Sequence, residues 1–207
     1  MDSISLPLLG LIAGSAAASG VRLYATIAVL GYLGRAGILD LPPDLQVLTH
    51  PWVILVAAAL YVVEFVADKI PIVDSVWDAA HTFIRVPAAV LLGFTALGGV
   101  AEPMRTIAAL VAGGVALSAH GLKASARAAI NTSPEPATNW VASFIEEGLV
   151  AALLYLAVRH PLAAVVIAAG IVVIFVLALR WVIRALRRLS RRSAPGGRAP
   201  TSSCTPR

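Results

Sequence analysis

Charge is what this sequence has least of. Only 13% of its 207 residues are Asp, Glu, Lys or Arg, about half the ~25% of soluble domains, while mean hydropathy is +0.87. With 59% hydrophobic residues, a water-soluble globule is excluded, because no polar shell of this size covers so much apolar surface. There is a single cysteine, Cys204, which rules out an internal disulfide framework and a thiolate metal site, and with them redox chemistry. Also lacking are a Gly-x-Ser-x-Gly elbow, a phosphate-cradling Gly-rich loop and a His-Glu-x-x-His helix. No basic residue precedes Arg22, so the apolar start, with its small run Ala16-Ala17-Ala18-Ser19, reads as a retained first span and not as a cleaved signal.

What is present is a series of uncharged windows of about 20 residues, enough to cross ~30 Å of hydrocarbon as helix. The sequence predicts an all-α fold, a polytopic transmembrane helical bundle of about six helices. The first span runs from about Leu6 to Gly34, too long for one untilted crossing, and is interrupted at Ser19-Gly20, with Arg22 just beyond; a broken first helix is expected. His50-Pro51 opens the second, which Lys69-Ile70-Pro71 ends. The third runs from about Ser75 to Leu97 with Pro87 inside it, and the fourth from about Met104 to the breaker Asn131-Thr132-Ser133-Pro134-Glu135-Pro136. There Ser133 reads as an N-cap followed by Pro134 at the first helical position. The fifth covers Asn139 to Val158, and His160-Pro161 opens the sixth, which continues past Arg180 as a basic helix. Residues 1–190 form one transmembrane domain and 191–207 a disordered basic cytoplasmic tail.

Arg184, Arg187, Arg188, Arg191, Arg192 and Arg198 follow the last span. They decide the orientation by the positive-inside rule, placing both termini in the cytoplasm of a cytoplasmic (inner) membrane protein. They also attract anionic headgroups, making membrane lipids the expected partner, at ~1 kcal/mol per basic residue near the surface. Nucleic acid is not an expected partner despite the net charge of +5. Trp52, Trp140 and Trp181 lie near span boundaries, as interfacial belt residues do.

An internal repeat is visible. His50 to Val66 matches His160 to Val176 at 9 of 17 positions with a constant offset of 110, and Leu11 to Ser19 matches Leu110 to Ser118 at 5 of 9. The repeat halves fall at about 6–100 and 104–186.

The few charges are grouped. Asp74, Asp78, His81 and Arg85 fall at steps of four, three and four and share one helix face, with Glu64, Asp68 and Lys69 just before them. Such a stripe suits a cation, or a phosphate held by Arg85 and His81; it also suits salt bridges that merely pin helix ends. Glu64 lies ~20 Å along its span, where an unpaired carboxylate costs several kcal/mol, so it needs a partner. The repeat copy carries Ile174 there and Ala178 opposite Asp68, so the scaffold itself does not require these acids. A second group comprises His120, Lys123, Arg127, Asn131, Glu135, Asn139, Glu146 and Glu147, of which the first four make another polar stripe. Together these fifteen residues are the expected lining of an inward-facing polar cavity. No cofactor is predicted beyond a divalent cation, for which Asp74, Asp78 and His81 are the candidate ligands.

In the segments Val63-Glu64-Phe65-Val66-Ala67-Asp68-Lys69-Ile70-Pro71, Val73-Asp74-Ser75-Val76-Trp77-Asp78, His81-Thr82-Phe83-Ile84-Arg85 and Asn131 to Trp140, the chain resembles a bacterial membrane family catalogued as domain of unknown function 4126. The likeness covers roughly Leu8 to Leu179 and implies a family without an activity.

The residues themselves point first to a small transporter or channel for an ion or small polar solute, using buried carboxylates. The alternatives are a membrane enzyme acting on a phosphorylated lipid or metabolite at the cytoplasmic face, with Asp74, Asp78 and His81 as metal ligands or acid/base groups, and a structural or assembly subunit. A transporter is expected to have a polar cavity with Glu64 on its wall, an enzyme to gather its triad at the surface, and a structural subunit to pair every acid with a base. The small-residue faces Gly113-Gly114 and Ala57-Ala58-Ala59 allow close packing within the bundle or in a homo-oligomer.

Overall fold

In a computed structural model that describes residues 4–132 and 136–192, the chain is helical throughout, with no strand among the described residues. The helices are α1 (Leu6–Val21), α2 (Leu23–Arg35), α3 (Pro51–Ala67), α4 (Pro71–Ala96), α5 (Glu102–Ile130), α6 (Pro136–Arg159) and α7 (Pro161–Arg192), with a 3-10 helix over Pro43–Thr49. Each α-helix except α2 has proline at its first or second position, where the missing N–H costs nothing and φ is already helical. The two His-Pro pairs do open helices, α3 and α7, and His50 Nδ1 accepts from Trp52 N at 3.4 Å as a cap. Residues 133–135, including the expected N-cap Ser133 and the candidate Glu135, and the tail from 193 lie outside the described residues.

Among the described residues, four helices are long and apolar enough to cross a membrane: Ile72–Ala96, Glu102–Ile130, Ala137–Arg159 and Pro161–Arg188. A fifth crossing is added if Pro43–Thr49 and α3, bent by 64° against each other, count as one span. The bundle is thus smaller than the six crossings expected, and the difference lies in the first span.

That span is broken, as its length implied, but at Arg22 and by reversal. Arg22 is extended (φ −144°, ψ 96°) between two helices of 16 and 13 residues, ~24 and ~20 Å long and so each short of a full crossing. Their neighbours show the reversal. Gly14 of α1 lies against Leu153 and Ala157 near the end of α6. At the other end of α1, Gly20 lies against Ala116 and Ala119 of α5. Pro7 and Leu8 at the start of α1 line one hollow together with Leu39, Asp40 and Leu41, which follow α2, and with Ala157 and Val158 near the end of α6. Hence α1 starts and α2 finishes near the same end of α6, and Arg22 is the apex of a hairpin.

The apex is closed chemically. The Arg22 carbonyl accepts from Thr26 N at 3.2 Å and Thr26 Oγ1 at 2.8 Å, starting α2. The Val21 carbonyl at the end of α1 accepts from Lys123 Nζ at 3.3 Å. An ammonium at a helix C-terminus is favourable for both the orphan carbonyl and the helix dipole.

The hairpin's first arm is the centre of the core. Ala16, Ala17 and Ala18 are fully buried, with α1 packed against α4, α5 and α6. Small residues permit this: every residue of α1 from Ser15 to Gly20 is Ser, Ala or Gly, so backbones approach closely and van der Waals contact replaces the hydrophobic drive that lipid does not supply. The compact unit formed by Met1–Phe175 contains all of this, and Val176–Arg207 forms a second unit. In the latter, α7 continues to Arg192 with Trp181 and Leu186 exposed. The fold does not establish the repeat: α1 stops at Val21 where the chain turns back, but its counterpart α5 runs on to Ile130.

A Cβ at Gly14 would lie 2.6 Å from Ala157 Cβ and 3.2 Å from the Leu153 carbonyl oxygen, whereas one at Gly148 meets nothing within 4 Å. Gly14→Val is expected to lower stability by about 1–3 kcal/mol through overpacking. Gly148→Ala should hold or raise it, by up to about 1 kcal/mol from helix propensity. Thermal unfolding in detergent measures both, and equal midpoints for the two variants would contradict the packing described.

Candidate functional site

At the apex of the hairpin, four cations and six carboxylates from four helices, the α1–α2 junction and the α3–α4 turn meet inside the bundle. Arg22 Nη2 lies 2.9 Å from Asp68 Oδ2 and 3.2 Å from Glu146 Oε2, and its Nε lies 2.9 Å from Glu147 Oε1. Lys123 Nζ reaches Asp68 Oδ2 at 3.2 Å, Asp78 Oδ1 at 3.4 Å and Glu146 Oε2 at 3.4 Å. Arg127 bonds Glu146 Oε1 through Nε at 2.6 Å and lies 3.6 Å from Asp68 Oδ2. Arg85 holds Asp78 Oδ1 at 2.9 Å and pairs with Glu64 through Nη2. Arg22, Arg85, Glu64, Asp68 and Asp74 are fully buried.

Helix spacing delivers these groups. Asp74, Asp78, His81 and Arg85 do lie on one buried face of α4, and Lys123 and Arg127, one turn apart on α5, present two cations to it. Asp68 caps α3, and α6 contributes Glu146 and Glu147. Asn139 and Ser143 orient Arg127, accepting from Nη1 at 3.2 Å and Nη2 at 3.1 Å respectively. Asn131 Nδ2 donates to Asp74 Oδ2 at 2.9 Å.

Two of the histidines are held by hydrogen bonds at both ring nitrogens. Arg85 Nη1 donates to His120 Nδ1 at 2.8 Å, which makes that nitrogen an acceptor and leaves Nε2–H to donate to Thr82 Oγ1 at 2.7 Å. His81 donates from Nδ1 to the Trp77 carbonyl at 2.8 Å and accepts the Tyr24 hydroxyl at Nε2, 3.1 Å away. Its ring stacks on Trp77 with centroids 4.2 Å apart.

On the turn between α3 and α4, burial raises the Asp68 carboxyl, but the Lys123, Arg22 and Arg127 charges outweigh it and hold the group below the usual aspartate value. Burial, and after it the Arg22 charge, push Lys69 below the ordinary lysine value. Lys69 donates to the Phe65 carbonyl at 2.9 Å and faces the Phe65 and Trp140 rings, outside the ion-pair network.

Three expectations are revised. The acids and bases pack against one another between the helices, Glu147 also borders a groove beside α2 and α3, and Glu64 is sealed against Arg85 instead of forming a cavity wall. The triad Asp74, Asp78 and His81 does not gather, since His81 turns to Tyr24 and Trp77. Among the described residues it is Asp68, Asp74 and Asp78 that offer carboxylate oxygens within 4.8 Å of one another. The acids are also not all paired with bases: Asp74 makes no ion pair among the described residues, and one oxygen each of Asp68, Asp74 and Asp78 is buried without a hydrogen bond. Such a triad can bind a cation.

Arg22 is the functional residue that sequence reasoning passed over, taken only as the neighbour of a break. It is the one charge between Leu6 and Gly34, and an arginine in hydrocarbon requires a carboxylate. Tyr24, Thr82 and Ser143, which complete the hydrogen bonding, carried no such signal.

Removing one partner of a buried pair costs about 3–5 kcal/mol, because the other charge is left behind. Glu64→Gln is therefore expected to lower stability by about 3 kcal/mol, and Glu64→Gln with Arg85→Gln to lose less than the two single losses added. Strict additivity, read from thermal unfolding in detergent, would show the pair to be uncoupled.

No curated protein and no solved structure matches the chain. A family model does match, over residues 9–181, which includes the hairpin, the network and the whole of α3 to α6. The chain belongs to the family described as Domain of unknown function (DUF4126).

Proposed function

We propose that this protein is a small transporter or channel of the bacterial inner membrane that moves an ion or small polar solute by way of its buried carboxylates, and that the moving or coupling species is a proton or a cation. The observation that carries this reading is the imbalance at the hairpin apex. Four buried carboxylates, Glu64, Asp68, Asp74 and Asp78, and two partly exposed ones, Glu146 and Glu147, face four buried cations, Arg22, Arg85, Lys123 and Arg127. Buried charge without compensation is too costly to persist, so the surplus is neutralised by protons or by a bound cation. A group that must take up and release such a species inside a membrane is what coupled transport uses. Half-length helices meeting at a charged apex also match the discontinuous helices that transporters place at their binding sites.

The enzyme reading is not favoured, because the carboxylates lie inside the bundle and His81 is turned away from them. An assembly role would leave the acids matched by bases, and Asp74 is not.

Asp74 provides the test, since it lacks an ion pair among the described residues and its neutral amide keeps the shape. In proteoliposomes under a proton or cation gradient, Asp74→Asn is expected to reduce flux about tenfold or more while leaving thermal stability near wild type. Absence of flux by wild-type protein under every gradient applied would sink the proposal, as would full flux by the variant.

The orientation proposal also changes. The arginine tail favours a cytoplasmic C-terminus, and α1 starts at the end of α6 from which α7 departs, which favours an N-terminus on the opposite face. With Cys204 replaced by serine, Ser5→Cys is expected to react with an impermeant maleimide added outside intact spheroplasts, whereas native Cys204 reacts only after lysis. Protection of both would restore the two-termini-inside arrangement.

A further inference from the structure

Beside the ion pairs, a groove of about 800 Å³ lies between α2, α3 and α6. Its depth has a simple origin. Small side chains face it from all three walls, Ala25 and Ala28 on α2, Ala58 on α3 and Ala151 on α6, and leave a channel where larger residues would fill the space. At one end it opens beside Tyr32, Tyr155 and Arg159, and at the other it reaches Tyr61 and Glu147.

The two ends differ in chemistry and in depth. Arg159 is exposed and makes no ion pair among the described residues. Glu147 is the one acid among the lining residues, and it is already engaged by Arg22 Nε at 2.9 Å. Twelve residues of α6 separate Arg159 from Glu147, ~18 Å of helix, close to one leaflet of a ~30 Å hydrocarbon layer. With Tyr32 and Tyr155 as amphipathic rings at the mouth, Arg159 stands at headgroup level and the apolar channel below it runs to about the midplane.

We propose that this groove holds one acyl chain of an anionic glycerophospholipid, with its phosphate at Arg159. The occupant is set by charge and shape together. A free guanidinium at the mouth binds a phosphate bidentately, the channel is apolar along a length that a single chain covers, and the acid at its floor is already engaged by Arg22 and by the Tyr61 hydroxyl. Since the groove's floor is Glu147 and Tyr61, the lipid tail becomes the cover over one edge of the ion-pair network and keeps that edge dry.

Native mass spectrometry of the purified full-length protein in detergent tests this, with phosphatidylglycerol or phosphatidylcholine added. Wild type is expected to retain one more tightly bound phosphatidylglycerol than Ala151→Trp, whose indole fills the channel, while lipids held by the arginine tail appear equally in both. Arg159→Gln should weaken that one site about fivefold, the worth of one basic residue at an anionic surface. Leu110→Trp, on an exposed face of α5 (69% exposed), should leave it unchanged. Equal lipid retention by wild type and Ala151→Trp overturns the proposal, as does phosphatidylcholine binding as tightly as phosphatidylglycerol. A dimer that forms in place of the lipid adduct would likewise overturn it and assign the groove to a second copy. If Ala151→Trp does not fold, Ala28→Trp on the facing wall blocks the same channel and decides in the same terms.

Discussion

A guanidinium at the end of a helix that stops short of crossing the membrane is the constraint on which this structure rests. Arg22 stands where α1 ends, and nothing in a hydrocarbon layer solvates it except Asp68, Glu146 and Glu147. Those three come from the cap of α3 and the middle of α6. Meeting them fixes the level to which α1 rises, the place at which the chain reverses, and the position of α2 beside α3. Lys123 then serves twice, as the counter-ion of Asp68 and Asp78 and as the cap on the last carbonyl of α1. Electrostatics sets the register that small residues would leave free, since a run of Ser, Ala and Gly packs almost as well one step up or down.

The network is unusual in using single groups for several partners. Asp68 Oδ2 alone serves Arg22, Lys123 and Arg127. Glu146 likewise receives all three, Arg22 and Lys123 at Oε2 and Arg127 at Oε1. Shared acceptors tie α1, α3, α5 and α6 into one electrostatic unit, so altering one charge redistributes the rest. The surplus of carboxylate accordingly belongs to the cluster as a whole, and the Asp68, Asp74 and Asp78 oxygens mark where it is most concentrated.

Much of this was legible in the residues. The steps between Asp74, Asp78, His81 and Arg85 put one polar face on a helix, and that face is buried as expected. Glu64 was bound to need a partner, and Arg85, about four turns into the next helix, supplies it. The His-Pro pairs and the other prolines marked where helices begin. The hairpin was not legible, because a segment that enters and returns has the same composition as one that crosses. Hydropathy records burial in lipid or protein but not direction. Nor could spacing say that His81 would turn toward Tyr24, since the choice among faces depends on an aromatic residue supplied by another helix. The number of crossings was overestimated for the same reason, the first two helices having been joined into one.

The placement of Arg22 also has a consequence for how the protein is made. Its counter-ions follow it in the chain by 46, 124 and 125 residues, so during synthesis the apex of the hairpin exists long before the groups that neutralise it. Until then, an arginine at the centre of an inserted helix costs at least about 2.5–3.5 kcal/mol. The apex therefore gains its counter-ions in stages, Asp68 with the end of α3 and Glu146 and Glu147 only with α6, so its full compensation depends on a helix made more than a hundred residues later.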